Sequence, residues 1–212
     1  MSISSNLYVI AAICGNFWQE STVNPGIWEG LTVGAPGYGL GQWTDNPPQV
    51  MRRTALFNWM DANGYAYGDG DGQLAFLVQE NIWIPSLFVQ SDYNTLSDFF
   101  ASTSTNLIAL VREWMFHWEG INDGTLQVRY DAALNFLQAM QNDTGARDPW
   151  WSSNSYNSMG RATANAMRIM DFFLQGEPPV PPGPDEPTEE EILAVVRTAL
   201  KRRKRGGGVI VF

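Results

Sequence analysis

The sequence predicts a mainly helical α+β domain, followed by a proline-rich linker and a C-terminal helical tail. Apolar residues recur at helical spacing in several segments before residue 176, whereas residues 21–46 are rich in glycine, proline, threonine and asparagine, which favour loops and short strands. Proline occupies six of the eleven positions from 177 to 187, which excludes helix and sheet there. We therefore expect a domain over residues 1–176, a linker over 177–187 and a tail over 188–212.

The expected helices follow the apolar periodicity and its interruptions. The first is an almost continuously apolar run that a polar residue at positions 4–6 can cap and that stops near Glu20. Asp71 is the expected cap of the third helix, which should begin near Gln73. The predicted helices cover residues 5 to about 19, about 50 to 64, 73–80, 94–101, 105–118, 125–141 and 158–175.

The tail has the pattern of a self-supporting helix with an apolar end. Thr188 and Glu191 form a capping box and basic residues crowd the last turn, so residues 189–204 are expected to be helical. Three glycines then precede the β-forming residues 209–212, which are too few to span a membrane. Such an end suits addition to a sheet edge or pocket, so we expect docking to a protein ahead of contact with a membrane or nucleic acid.

The net negative charge lies entirely in the predicted domain. Residues 1–176 contain seven arginines, no lysine and sixteen acidic residues, a net charge of −9, whereas acids and bases balance from 177 to 212. The field of such a domain does not steer it toward nucleic acid or other anionic surfaces. The chain has no apolar run of about 18 residues and no basic start with a cleavage site, so neither a membrane span nor a signal peptide is expected.

Metal and nucleophile chemistry have few candidate residues. Cys14 is the only cysteine and His117 the only histidine, which excludes an intramolecular disulfide and a Cys/His zinc site, and no cofactor is expected. Cys14 lies in an apolar run, where a small buried thiol is expected rather than a nucleophile paired with His117. A calcium loop beginning at Asp69 is disfavoured because Leu74 replaces the glycine required at its sixth position.

Glu20 has the surroundings expected of a general acid for glycoside cleavage. That reaction needs a carboxyl group kept protonated near neutral pH, and an apolar environment favours the protonated form. Glu20 follows Phe17-Trp18-Gln19 at the end of the apolar helix and precedes a glycine- and proline-rich segment. Its side chain is therefore expected at the lip of a groove between this helix and residues 26–46.

Two ordered motifs surround this glutamate. The sequence GNFWQESTVNP at 15–25, followed by GYGLGQWT at 37–44, resembles the phage tail lysozyme family. It is similar, more distantly, to soluble lytic transglycosylases and goose-type lysozymes, which carry a Glu-Ser ahead of an Asn-Pro and later a Gly-Leu-x-Gln. The resemblance covers roughly residues 6–137, through Arg52-Arg53, Gln73 to Glu80, Trp118-Glu119 and Arg129. It implies a lysozyme-like fold and cleavage of peptidoglycan glycan strands.

The resemblance also implies roles for individual residues, with Glu20 as the general acid. Ser21 would orient Glu20 by hydrogen bonding or simply end the helix. Gln42 would bind an N-acetyl group or position water and Trp43 would form a sugar platform, with ordinary core packing as the alternative for both. The expected substrate-binding residues are Ser21, Tyr38, Gln42, Trp43 and Thr44.

A second catalytic carboxylate is harder to assign. Asp45 is the nearest candidate after the Gln-Trp-Thr segment, and Glu29 and Glu119 are others. Glu119 has an alternative interpretation as the ion-pair partner of Arg129 inside the fold. Similar families sometimes need one glutamate only, using the acetamido group or the 6-hydroxyl of the substrate. Hydrolase and transglycosylase therefore both stay open.

The resemblance and the tail together predict a virion protein that acts at the bacterial cell wall. It would belong to a phage tail and open the peptidoglycan as the genome enters the cell, with residues 188–212 binding other tail proteins. Delivery by a particle would make the acidic charge tolerable. The alternative is a non-catalytic structural or glycan-binding tail protein of lysozyme-like fold. A lysin released at host lysis is disfavoured, since the basic helix and apolar end do not resemble a wall-binding module.

Overall fold

The computed structural model describes residues 2–48, 50–85, 89–143, 151 and 158–176. Seven α-helices and a three-stranded sheet lie in this part of the chain, which confirms the predicted mainly helical α+β domain. The expectations for the linker at 177–187 and the tail at 188–212 fall outside the described residues. The elements are α1 (Leu7–Ser21), β1 (Gly37–Tyr38), β2 (Trp43–Asn46), β3 (Val50–Met51), α2 (Arg52–Ala62), α3 (Gly70–Glu80), α4 (Leu96–Phe100), α5 (Leu107–His117), α6 (Leu126–Asn142) and α7 (Met159–Gln175).

Helix α1 forms the centre of the core. Asn6 caps it by accepting a hydrogen bond from the Tyr8 backbone N–H at 3.0 Å. The residues from 9 to 17 are buried, because α1 packs against α5, α6 and α7. It ends at Ser21, where Thr22 adopts the left-handed conformation and turns the chain toward the loop after it. The burial of α1 explains why its sequence is apolar on all sides.

Helices α1 and α6 approach each other closely at Gly15. A Cβ atom at this position would lie 2.6 Å from the Ala133 Cβ and closer still to the Arg129 carbonyl. Real Cβ atoms do not approach other heavy atoms to this distance, so only glycine fits here. The contact brings the end of α1 next to residue 129 on α6.

The small sheet is antiparallel in the order β1-β2-β3. Tyr38 pairs with Trp43 and Asn46 pairs with Val50. The predicted start of the second helix near residue 50 is therefore wrong, because Val50 and Met51 form a strand and the helix begins at Arg52. Both strand residues are exposed, so their apolar character did not mark a helix face.

Helix α3 begins three residues before the predicted start. Its cap is Asp69, whose Oδ1 accepts hydrogen bonds from the Asp71 and Gly72 backbone N–H groups at 2.9 and 3.3 Å. The prediction of Asp71 as the cap is wrong, because Asp71 lies inside the first turn and binds Arg168 at 2.8 Å. Glu80, the last acid of the calcium-loop pattern, binds Arg52. None of the helices in the described ranges is long and apolar enough to cross a membrane.

The contact at Gly15 predicts a strong effect of one added methyl group. We expect Gly15→Ala to lower the free energy of unfolding by about 1–3 kcal/mol, because α1 and α6 must move apart to admit it. Gly160→Ala is the matched control, since no described heavy atom lies within 4 Å of a Cβ there. It should leave stability unchanged or raise it by about 0.5–1 kcal/mol, as alanine restricts the unfolded chain more than glycine. Urea unfolding of both variants measures the difference, and equal stabilities would contradict the close approach.

Candidate functional site

A groove of about 750 Å³ runs past the C-terminal end of α1. One wall is the segment between α1 and β3, as the sequence predicted, and the opposite wall is the turn after α5. Its lining residues include Glu20, Ser21, Trp28, Glu29, Gln42, Thr44, Arg52, Ile84 and Glu119. Polar and aliphatic groups thus share the surface, a composition suited to a ligand with hydroxyl, amide and apolar faces.

Glu20 lies in the last turn of α1, and its side chain is 21% exposed to the groove. Its Oε1 accepts a hydrogen bond from Arg129 Nη2 at 2.6 Å. The position at the lip of the groove agrees with the sequence-based expectation. The surroundings do not, because the predicted apolar environment contains a guanidinium group.

Arg129 is fully buried on α6 and holds the carboxylates of the site together. Its Nη1 donates to Glu119 Oε2 at 2.6 Å and to Asn16 Oδ1 at 3.0 Å, and its Nε donates to Thr125 Oγ1 at 2.8 Å. Burial alone would lower the pKa of Arg129, but the nearby charges of Glu119 and Glu20 outweigh burial and raise it. Arg129 is therefore charged throughout the pH range in which carboxyl groups titrate.

Glu119 follows α5 and lies deeper than Glu20, with a side chain only 5% exposed. The predicted ion pair with Arg129 is confirmed by the 2.6 Å bond. Glu119 and Glu20 accept hydrogen bonds from the two terminal nitrogens of one guanidinium, which places the two carboxyl groups side by side. Burial and then the charge of Glu20 raise the pKa of Glu119 well above 4.5, against the opposing effect of Arg129.

Strand β2 explains why two predicted site residues lie outside the groove. Successive side chains of a strand point to opposite faces, and here Thr44 is exposed and lines the groove whereas Trp43 and Asp45 are buried on the other face. Trp43 packs against Trp118 and donates from Nε1 to Glu80 at 3.2 Å. The prediction of a sugar platform at Trp43 is wrong, because none of its surface is accessible.

Asp45 binds the start of α2 instead of the groove. Its two carboxylate oxygens accept the Thr54 backbone N–H at 3.0 Å and the Thr54 hydroxyl at 2.7 Å, and Arg53 lies 2.9 Å away. Asp45 is not among the groove-lining residues. The geometry thus gives Asp45 a role in joining β2 to α2, and the prediction that it is the second catalytic carboxylate has no support from its position.

The remaining predicted residues divide between the core and the groove. Tyr38 is buried against Trp28 and Phe57, away from the groove lining. The Ser21 hydroxyl donates to the Leu40 carbonyl at 2.8 Å and so fastens the end of α1, which is the helix-ending role of the two that were expected. Gln42 lines the groove, with Nε2 donating to the Ile27 and Gly39 carbonyls.

Cys14 and His117 are not among the residues that line the groove. Cys14 is completely buried in α1, and burial raises the pKa of its thiol, which suppresses the thiolate. His117 is buried and its Nδ1 donates to the Ile84 carbonyl at 2.8 Å. Within the described residues, no group of three or more histidine, cysteine, aspartate or glutamate side chains is placed to hold a metal ion.

The bond between Arg129 and Glu20 is the feature of the site that sequence reasoning missed. A usable signal was present, because Arg129 precedes Ala132, Ala133 and Phe136 at helical spacing and therefore belongs to the buried face of α6. A buried arginine requires carboxylate or carbonyl partners. Trp28, half-buried and lining the groove, was also missed as the aromatic residue of the wall.

The contacts of Asp45 predict a pH-dependent contribution to stability. Burial alone would raise its pKa, but the Thr54 hydrogen bonds and the charge of Arg53 outweigh burial and hold the pKa below its ordinary value of 3.8. The stabilisation is therefore present above 3.8 and lost as the pH falls through the lower, folded-state value. We expect Asp45→Asn to lower the free energy of unfolding by about 1–3 kcal/mol at neutral pH and by less near pH 3.

Urea unfolding at the two pH values measures this difference. Asp131→Asn is the control, because Asp131 is exposed on α6 and binds only Gln127 among the described contacts. If Asp45→Asn lowered the free energy of unfolding by the same amount at both pH values, the assigned contacts of Asp45 would be contradicted.

Comparison with known proteins agrees with the geometry. Residues 4–140, which include α1, the sheet, Glu20, Glu119 and Arg129, match the phage tail lysozyme family. Over 105 residues the chain is 34% identical to morphogenesis protein 1 of Bacillus phage B103, a stretch that covers 48% of this chain and 27% of that protein. The chain thus spans about a quarter of that relative's length. On the extent of the family match, the chain belongs to the phage tail lysozyme family.

Proposed function

We propose that this protein cleaves the glycan strand of peptidoglycan, with Glu20 as the general acid. The observation that carries the proposal is the position of Glu20, at the end of a buried helix, in a groove that also contains a second, buried carboxyl group. Membership of the phage tail lysozyme family supports the same class of substrate. A fold alone does not establish chemistry, so the catalytic role depends on this constellation of side chains.

The proposed reaction begins with proton transfer from the Glu20 carboxyl to the glycosidic oxygen. The electron pair of the bond between that oxygen and the anomeric carbon moves to the oxygen, and the leaving sugar departs as an alcohol. The oxocarbenium-like carbon then takes up water or the substrate's own 6-hydroxyl group. The proton lost by that nucleophile returns to the Glu20 carboxylate, which restores the enzyme.

The wall around Glu20 supplies candidates for holding the sugar. Gln42 and Thr44 line the groove on the sheet side, and we propose that both contact hydroxyl or acetamido groups. Trp28 lies on the same wall and takes the place proposed earlier for Trp43 as the aromatic surface against a sugar ring.

The proposed setting is a virion, where the protein opens the wall as the phage genome enters the cell. Family membership and the relative named as a phage morphogenesis protein support this setting. The net charge of −9 adds a physical reason, since an acidic enzyme is repelled by anionic cell-wall polymers and gains from delivery by a particle.

Product analysis tests the catalytic proposal. The full chain is incubated with purified peptidoglycan and the soluble fragments are analysed by mass spectrometry, with Glu20→Gln and Asp131→Asn in parallel. We expect fragments from the wild type and Asp131→Asn, and a loss of about 100-fold or more for Glu20→Gln, because an amide cannot donate the required proton.

The ends of the fragments identify the reaction. Reducing ends would establish a hydrolase, and 1,6-anhydro ends would establish a lytic transglycosylase. A folded wild-type protein that releases no Glu20-dependent fragments would overturn the proposal and favour the alternative of a structural or glycan-binding tail protein.

We also propose that residues 188–212 bind another protein of the virion tail. The support is the sequence pattern of a basic helix, three glycines at 206–208 and four apolar β-forming residues at 209–212. Deletion of residues 206–212 should reduce the amount of this protein in purified particles, and serines at 209–212 should have a similar effect while preserving length. Quantitative immunoblotting of purified particles measures the amount of this protein that they contain. Unchanged incorporation of both variants would count against the docking role.

A further inference from the structure

Negative groups outnumber positive groups around Arg129. Its guanidinium nitrogens lie 2.6 Å from Glu20, 2.6 Å from Glu119 and 3.6 Å from Asp123. Asp123 is 42% exposed and screened by water, but Glu20 and Glu119 are largely buried. One buried guanidinium can balance one buried carboxylate, so the second carries an uncompensated charge unless it is protonated.

The other charges in the groove do not correct this imbalance. Arg52 is a basic residue of the groove lining, but both oxygens of Glu80 bind it, at 2.7 and 2.8 Å. Arg52 reaches the Glu119 side of the groove only through the Trp118 carbonyl, at 3.3 Å. Glu29, on the opposite wall, adds a negative charge and accepts a hydrogen bond from the Gly37 backbone N–H.

The contact between the two carboxyl groups indicates where the proton lies. Glu119 Oε1 is buried and receives no hydrogen bond from any described donor, and Glu119 and Glu20 accept hydrogen bonds from the two terminal nitrogens of the same guanidinium, each at 2.6 Å. Two ionised carboxylates side by side on one guanidinium repel each other, whereas one shared proton allows a hydrogen bond between them.

The same contact excludes another role for Glu119. The two carboxyl groups of a glycosidase that works from both faces of the sugar are about 5–5.5 Å apart in retaining enzymes and about 6.5–9.5 Å apart in inverting enzymes. Carboxyl groups that bind neighbouring nitrogens of one guanidinium leave no space for a sugar ring between them. Glu119 therefore cannot act as an opposing nucleophile or base while this contact holds.

We infer that Glu119 is a positioning residue that shares one proton with Glu20 and so holds a proton beside the acid of the groove. The inference rests on the proposed glycan cleavage. When Glu20 gives its proton to the leaving oxygen, its carboxylate remains beside Arg129, which stabilises the new charge. The proton that the attacking hydroxyl or water loses then returns to the pair, so the number of protons on the enzyme is restored in each cycle.

The pH dependence of cleavage tests this role. The initial rate of fragment release by the full chain is measured from acidic to alkaline pH for the wild type, Glu119→Gln, Glu119→Asp and Asp131→Asn. An amide at position 119 keeps an oxygen that can accept the Arg129 bond but cannot hold the shared proton. Circular dichroism and urea unfolding establish that each variant is folded.

We expect the alkaline limb of the Glu119→Gln profile to move to lower pH by about one unit or more, which is a loss of about tenfold in rate at neutral pH. At acidic pH the rate should approach that of the wild type, because Glu20 then takes its proton from solvent. Glu119→Asp should recover part of the neutral-pH rate, since it restores a carboxyl group. Asp131→Asn should keep the wild-type profile.

The other outcomes separate this inference from the proposed function. An unchanged profile for Glu119→Gln, or a loss of the same factor at every pH, would overturn the proton-sharing role while leaving glycan cleavage by Glu20 intact. Absence of cleavage by the folded wild type at every pH would overturn the proposed function itself, and the inference with it.

Discussion

The buried guanidinium of Arg129 is the interaction on which the rest of the site depends. It binds a carboxylate at the end of α1, a carboxylate after α5 and an amide inside α1, and so joins the three helices that carry the core. Gly15 allows α1 and α6 to pack closely, which brings the α6 backbone at Arg129 against α1. Arg129 can therefore reach its partners on α1. Removing one partner of a buried ion pair typically lowers the free energy of unfolding by about 3–5 kcal/mol. Arg129 therefore stabilises the fold and also positions the carboxyl groups of the site.

This arrangement of charged groups also lowers the stability of the fold at the site where catalysis is proposed. A pair of adjacent carboxyl groups with one cation destabilises the fold whenever both are ionised, and burial together with the charge of Glu20 raises the pKa of Glu119. Functional sites commonly retain such unfavourable contacts because the reaction needs them. The surrounding core compensates, with α1 buried along nine consecutive residues and packed by aromatic side chains such as Phe17 and Trp114.

The helices and the position of Glu20 could be predicted from sequence because both depend on local patterns. Apolar periodicity placed each helix within a few residues, and the end of the apolar run placed Glu20 at the lip of the groove. Trp43 and Asp45 could not be placed in the same way, since the face to which a strand residue points depends on register and on which face is buried. The motif around them is continuous, but Gln42 and Thr44 line the groove whereas Trp43 and Asp45 do not. Glu20 and Glu119 were each named as candidate carboxylates, but their shared binding to Arg129 could not be predicted, because the two glutamates are 99 positions apart in the sequence.

The most direct test of the central claim is carbon-13 NMR of the glutamate carboxyl carbons as a function of pH, with assignment by Glu20→Gln and Glu119→Gln. At neutral pH one proton should reside on the pair, so the Glu119 signal should change at a pH well above 4.5, and Glu20→Gln should move that change to lower pH by removing the neighbouring charge. A Glu119 signal that titrates near 4.5 and ignores the substitution at Glu20 would contradict the shared proton and with it the assignment of Arg129 as the centre of an acid site.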